Sequence, residues 1–259
     1  MIVLIAMLIP ASARADAADS TVAHNTWSFE FTPYLFMAGL DGDIGIGLVN
    51  TTIDVPFSKI LDHLDLGLMG NLEARKGRWA LGLDAMYIDL SGVASQSVTG
   101  PFGRVDIEGA VEASTIEQIY EAWGGYRLID DKLKLDAFVG ARYTSIESEL
   151  YIATTTTAVV FPGGSRTIGG EFTWWDPVLG SRTTVPVSEE VAVVAIFDVG
   201  GFGIGSNLSL QWLLAARWQF SNRFSAKVGY RYLYQDYEED NIEWDMTTAG
   251  PIVGVGVRF

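Results

Sequence analysis

The sequence predicts an all-β chain: an antiparallel, up-and-down transmembrane β-barrel of about ten strands, with eight as the alternative. Three observations carry that expectation. Apolar residues recur at every second position along most of the 259 residues, the period at which a strand shows one face. Turn residues punctuate the alternating runs, with connections alternately short and long, as in a barrel with short periplasmic turns and long outer loops. The chain ends in Ile252-Val253-Gly254-Val255-Gly256-Val257-Arg258-Phe259, a closing strand with an apolar outer face and a terminal aromatic. Gly254, Val257 and Phe259 are read there as the insertion signal for the barrel-assembly machinery.

Composition supports this. The chain is 49% hydrophobic with mean hydropathy +0.22, despite a formal net charge of -15. Beyond the N-terminus no run approaches the roughly 20 consecutive apolar residues of a membrane helix. Barrel strands need only about 10 residues each. The acidic balance argues against a nucleic-acid partner. There is no cysteine, which excludes disulfides, thiol nucleophiles and thiolate metal sites. Residues 1–15 read as a secretory signal peptide: Met1–Pro10 is an apolar run, and Ala13 and Ala15 are small residues at the -3 and -1 positions. Cleavage after Ala13 or Ala17 is the alternative, and a basic N-terminal region is missing. The barrel domain is expected over 24–259.

The strands follow in order. Trp27–Met37 sets Trp27, Phe29, Phe31 and Leu35 against Ser28, Glu30 and Thr32. Leu64–Arg75 and Arg78–Leu90 flank a Lys76-Gly77 turn, with Leu72, Leu81 and Leu83 outward and Asn71, Glu73 and Asp84 inward. Glu108–Arg127 places Tyr120 and Ala122 outward and Glu117 and Glu121 inward, although Gln118 then falls on the apolar side. Leu133–Tyr143 turns Lys134, Asp136 and Arg142 inward. Pro177–Val187 and Val191–Phe202 form a hairpin around Ser188-Glu189-Glu190. Leu208–Phe220 and Phe224–Gln235 form another around Ser221-Asn222, and Thr247–Phe259 closes the sheet. Ala38–His63, Ser91–Ile107 and Glu147–Trp175 read as long loops, the first with a helical turn at Phe57–Leu64. Trp27, Trp79, Trp218 and Phe259 form one expected aromatic girdle, and Tyr87, Tyr143, Trp212 and Tyr234 a second.

Trp27-Ser-Phe-Glu-Phe-Thr-Pro-Tyr34, Gly77-Arg-Trp79, Trp175-Asp-Pro177, Asp198-Val-Gly-Gly-Phe-Gly203, Gly229-Tyr-Arg-Tyr232 and Arg258-Phe259 together resemble proteobacterial outer-membrane β-barrel proteins of the OmpA-like or opacity type. The resemblance covers nearly the whole mature chain. It implies the fold and the compartment, an integral protein of the Gram-negative outer membrane in contact with lipid and lipopolysaccharide. It implies no catalytic or ligand-binding residue.

The inward phase collects charge. Arg75, Arg78, Arg127, Lys134, Arg142, Arg182, Arg217, Lys227, Arg231 and Arg258 face Glu30, Glu73, Asp84, Glu117, Glu121, Asp136 and Asp198. A barrel of about ten strands is narrow, and unpaired buried charges are costly. A paired, plugged lumen is therefore expected, with a narrow porin-like channel for small charged solutes as the alternative. Acids such as Asp41, Asp43, Glu147 and the Asp236–Asp245 stretch are left to the rim. They read as a solvated surface; holding divalent cations near lipopolysaccharide phosphate is the alternative, although no spacing matches a calcium loop. No resident metal or cofactor is expected.

Catalysis has one candidate. His63, beside Asp62 and Asp65, would be the base of an omptin-like hydrolase, but adjacent strand residues point to opposite faces. Gly200-Gly-Phe-Gly-Ile-Gly205 only loosely matches a dinucleotide fingerprint and has no following helix. The expectation is a monomeric, non-enzymatic barrel with a structural or surface-interacting role.

Overall fold

The computed structural model describes residues 26–46, 49–99, 106–156, 164–239 and 242–259. The expected signal peptide lies outside the described residues. Twelve strands form a single antiparallel sheet: β1 (Ser28–Phe36), β2 (Gly39–Ile46), β3 (Val49–Val55), β4 (Leu64–Lys76), β5 (Trp79–Thr99), β6 (Asp106–Asp130), β7 (Lys134–Thr156), β8 (Gly164–Pro186), β9 (Val191–Gly201), β10 (Leu208–Gln219), β11 (Phe224–Glu239) and β12 (Ile242–Arg258). A six-residue helix, α1 (Phe57–Asp62), joins β3 to β4.

Ten of the strands close a barrel. β4 through β12 pair in sequence order, and β1 pairs with both β4 and β12. Closure matters because it leaves no unpaired edge in the wall. β1 runs beside β12 from Glu30↔Arg258 to Phe36↔Ile252 and beside β4 from Ser28↔Arg75 to Pro33↔Gly70. Pro33 has no N–H to give, and the β4 ladder stops there. Just beyond it the Phe36 backbone N–H donates to Met69 Sδ at 3.3 Å. After Met37 and Ala38 the chain resumes as β2, which continues along the upper part of β12 from Gly39↔Ala249 to Ile46↔Ile242 and hairpins into β3. The β2–β3 hairpin therefore extends the wall and does not widen the barrel.

The count of about ten strands holds, and so does the alternation of long and short connections. The content of the long connections differs from expectation. Much of Ser91–Ile107 and Glu147–Trp175 is strand: β5 and β6 pair out to Thr99↔Asp106, and β7 and β8 out to Thr154↔Gly164. Over these stretches the sequence loses its period-two apolar alternation, while Thr, Tyr and Ile still favour the extended backbone. Ala38–His63 likewise contains β2, β3 and α1. β5 to β8, at 21 to 25 residues, therefore stand well above β9 and β10, at 11 and 12. The difference of about ten residues is worth roughly 30 Å of extended chain.

The outer face is apolar. Phe31, Leu35, Leu68, Leu81, Leu83, Val139, Leu179, Leu214, Val228 and Val253 are all exposed. Aromatic rings ring the short-turn end: Trp27 on Phe29 and Phe29 on Phe259, Trp79 edge-on to Tyr126, and Trp218 beside Phe220. A second group lies higher, with Tyr143 between Tyr120 and Trp175, and Trp212 stacked with Tyr230 and Tyr232.

Candidate functional site

The inward residues of each strand fill the lumen in layers. At the short-turn end lies a floor of charge. Glu30 accepts from Lys227 Nζ at 2.6 Å and from Arg258 at 3.0 Å. Glu73 pairs with Arg75 and Arg182. Asp136 accepts from Arg75 at 2.6 Å and from Arg127 at 2.8 Å.

A cavity of about 120 Å³ sits above this floor. Arg182, Arg217 and Lys227 line its base, and Trp123, Phe138, Val194, Ile196 and Leu213 are among its walls. The two rings fit because glycines lie beside them on neighbouring strands. Trp123 registers with Gly82 and Gly140, and Phe138 with Gly125 and Gly180. A Cβ on Gly82 would enter the Trp123 ring, and one on Gly180 would enter the Phe138 ring.

The roof of the cavity is a buried polar network. Arg142, with no solvent exposure, donates from Nη2 to Glu121 Oε2 at 2.6 Å and to Asp198 Oδ1 at 2.7 Å, and from Nη1 to Ser209 Oγ at 2.6 Å. Gln211 links the two halves: its Nε2 donates to Asp198 at 2.7 Å, and its Oε1 accepts from Arg231 Nε at 2.8 Å. Arg231 also reaches Asp84 at 3.1 Å and the Tyr34 hydroxyl at 2.9 Å, and Tyr34 donates to Asp84 at 2.8 Å. Seven strands contribute directly to a network in which nearly every donor has an acceptor. That is the condition under which buried charge is tolerated.

Above the roof the lumen is apolar. Phe36, Ala38, Met86, Ile119, Leu233 and Ile252 form one buried cluster, and the Arg231 guanidinium lies 5.6 Å from the Phe36 ring centroid. Ile146, Trp174, Tyr237, Trp244 and Met246 form a second, in which Trp174 and Tyr237 stack at 4.4 Å. Gln235 donates to Thr144 at 2.8 Å between the two. Asp176, fully buried, receives the backbone N–H and hydroxyl of Ser206 at 2.7 and 2.8 Å and pins the β9–β10 turn inward.

Most of the expected inward charges meet in this lumen. Arg75, Arg127, Asp136, Arg182 and Lys227 join the floor; Asp84, Glu121, Arg142, Asp198 and Arg231 join the roof. Arg217 faces the cavity without an ion pair among the described residues. Glu117 is buried, and its Oε1 has no hydrogen-bond partner.

Two positions depart from expectation. Arg78 is exposed in the Gly77-Arg78 turn; Gly77 has φ 58°, and the alternation stops at the turn. Lys134 is exposed at the end of β7 beside the next turn. Tyr34, Gln211 and Ser209 also belong to the network; as neutral polar residues they give no charge signal in the sequence. The inward glycines facing Trp123 and Phe138 were a readable sign of the ring-lined cavity.

The terminal strand is tied at both faces. Phe29 and Phe259 exchange two backbone hydrogen bonds, at 3.1 and 3.0 Å, and their rings stack at 5.9 Å. Val257 registers with both Phe31 and Phe224, and Gly254 turns into the cavity. His63 Nδ1 lies 2.8 Å from the Lys59 carbonyl oxygen, and Asp65 accepts from Ser91; among the described residues no carboxylate orients this imidazole. Gly201 and Gly203 have φ of 86° and 71° in the β9–β10 turn, so the glycine run serves a tight turn.

No protein-family model matches the chain, and no curated protein matches it in sequence. Among solved structures, the chain is similar to the outer membrane protease OmpT from Escherichia coli, with a TM-score of 0.56 at 10% identity, covering 90% of this chain and 97% of that one. It also matches the translocator domain of the autotransporter NalP from Neisseria meningitidis, at TM-score 0.39 and 15% identity, covering 90% of this chain and 88% of that one. The likeness to OmpT is one of fold: a closed ten-strand barrel of the outer-membrane kind.

Proposed function

We propose that this chain is an integral protein of the bacterial outer membrane, a monomeric barrel with a structural or surface-interacting role carried by its tall hairpins. The observation that supports this most is the contrast between its two faces. The outer wall is exposed and apolar, which suits lipid tails, while the lumen is filled from the charged roof upward by buried side chains. Arg142, Met86, Ile119, Leu233 and Met246 are at most 1% exposed, so the layers leave no room for a solute stream. This favours a plugged barrel over a porin-like channel. The ten-strand wall exceeds the eight of small OmpA-type barrels, so the reading is of an outer-membrane barrel in the broad sense. The His63 contacts support a role without chemistry. In this reading the short turns are periplasmic, and the acidic β11–β12 hairpin, with Glu238, Glu239 and Glu243, lies at the cell surface beside lipopolysaccharide.

The test is assembly in cells. The wild-type chain is expected in the outer-membrane fraction with heat-modifiable mobility on gels. Deleting Phe259 removes two backbone hydrogen bonds and a ring stack at the closing seam, together with the expected insertion signal. The assembled, heat-modifiable form should then drop several-fold. Recovery of the wild-type chain in the soluble fraction would overturn the membrane assignment.

A further inference from the structure

The cavity floor holds more positive charge than its carboxylates absorb. Glu30, Glu73 and Asp136 are each already shared between two basic partners. Arg217 makes no hydrogen bond or ion pair among the described residues, and its Nε is buried without a partner; so is the Nε of Arg182. A guanidinium held half out of water with no carboxylate partner is costly, so Arg217, half-buried at the cavity base, calls for an anion from outside the chain. The roof differs. Arg231 and Arg142 are fully engaged by Asp84, Glu121 and Asp198, where three carboxylates meet two guanidiniums. Across the cavity the charge runs from a positive floor to a negative roof, and the walls between carry two aromatic rings and aliphatic chains.

We propose that this cavity binds a small amphiphilic monocarboxylate. Its carboxylate rests on Arg217 and Arg182, and its apolar body, one ring or a short branched chain, packs against Trp123, Phe138 and Leu213. A guanidinium suits this role because its forked donors match a carboxylate. Size sets the body: the cavity measures about 120 Å³, and an engineered cavity of about 150 Å³ holds benzene. Exposure sets the entrance. The side chains of Arg258, Arg75 and Lys227 are 42%, 21% and 20% exposed, against none for Arg142. A ligand enters past the floor, from the short-turn end. That this end is periplasmic rests on the membrane reading above; the binding itself does not.

The experiment is calorimetric titration of the folded protein in detergent micelles with benzoate, toluene and inorganic phosphate. Each variant is first checked for heat-modifiable mobility. Benzoate should bind saturably at one site, at least tenfold more tightly than toluene or phosphate. Arg217→Gln should weaken benzoate at least tenfold, Arg217→Lys less, and Arg223→Gln, in the exposed β10–β11 turn, not at all. Should Arg217→Gln fail to fold, Ala215→Leu, which fills the cavity and leaves the floor charges in place, should abolish binding. The proposal is overturned if folded wild-type protein takes up no benzoate at millimolar concentration. Toluene or phosphate binding as tightly as benzoate overturns it too, as does wild-type affinity in folded Arg217→Gln. Benzoate binding by a chain found outside the membrane would sink the membrane reading and leave this site standing.

Discussion

Replacing Arg142 by methionine is expected to destabilise the barrel by about 3–5 kcal/mol, the cost of removing one partner from a buried ion network. The side chain is wholly buried and neutralises Glu121 and Asp198 while also donating to Ser209. Methionine fills a similar volume but leaves two carboxylates facing each other with little water to solvate them. Equilibrium urea unfolding of the protein in lipid vesicles would show this as a lower midpoint with an unchanged slope. Partial rescue is also expected. Combining Arg142→Met with Asp198→Asn removes one orphaned charge, so the double variant should be more stable than Arg142→Met alone. Equal midpoints for wild type and Arg142→Met would mean that the network is solvated.

A second large effect is expected from Gly180→Val. Gly180 lies on the inward phase of β8, beside the ring of Phe138. An added Cβ would enter that ring and come within 2.7 Å of the Phe197 carbonyl oxygen. The ring can turn into the cavity, but the backbone of β9 cannot move without breaking its ladder to β8. Overpacking of this kind costs about 1–3 kcal/mol, and more where backbone is involved. The variant should unfold at lower urea, and its cavity should shrink, because Phe138 has nowhere else to go. A benzoate site that survives in folded Gly180→Val would argue that Phe138 is not part of its wall.

The barrel was legible in the sequence because a wall between lipid and a polar interior forces strict alternation. Leu208–Phe220 and Phe224–Gln235 show that pattern, and they pair in register from Leu208↔Asp236 to Gln219↔Ser225. Legibility ended where that constraint ends. Above the apolar belt, the sequences of β5 to β8 lose strict apolar alternation, so their upper halves read as loops. A bulge between Leu64 and Leu66 shifts the phase of β4, a change that simple alternation cannot carry. Which charges face inward was readable from phase alone, except at turns, where Arg78 swings out. Which of them pair was not readable, since the partners of Arg142 lie 21 and 56 positions away and meet only through barrel closure. The spare charge on Arg217 follows from the floor carboxylates Glu30, Glu73 and Asp136 all being taken by other cations, which only the closed barrel brings about.

In the proposed reading the barrel spans the outer membrane and its lumen is sealed above the lower cavity. Single-channel recording of the refolded protein in a planar bilayer tests it most directly, once a gel shift confirms folding. A silent bilayer, with conductance emerging only after the upper layers are cut back, for example by Trp174→Gly with Tyr237→Gly, is the predicted result. Discrete, reproducible, charge-selective steps from the wild-type protein would contradict it and make the inward arginines the wall of a pore.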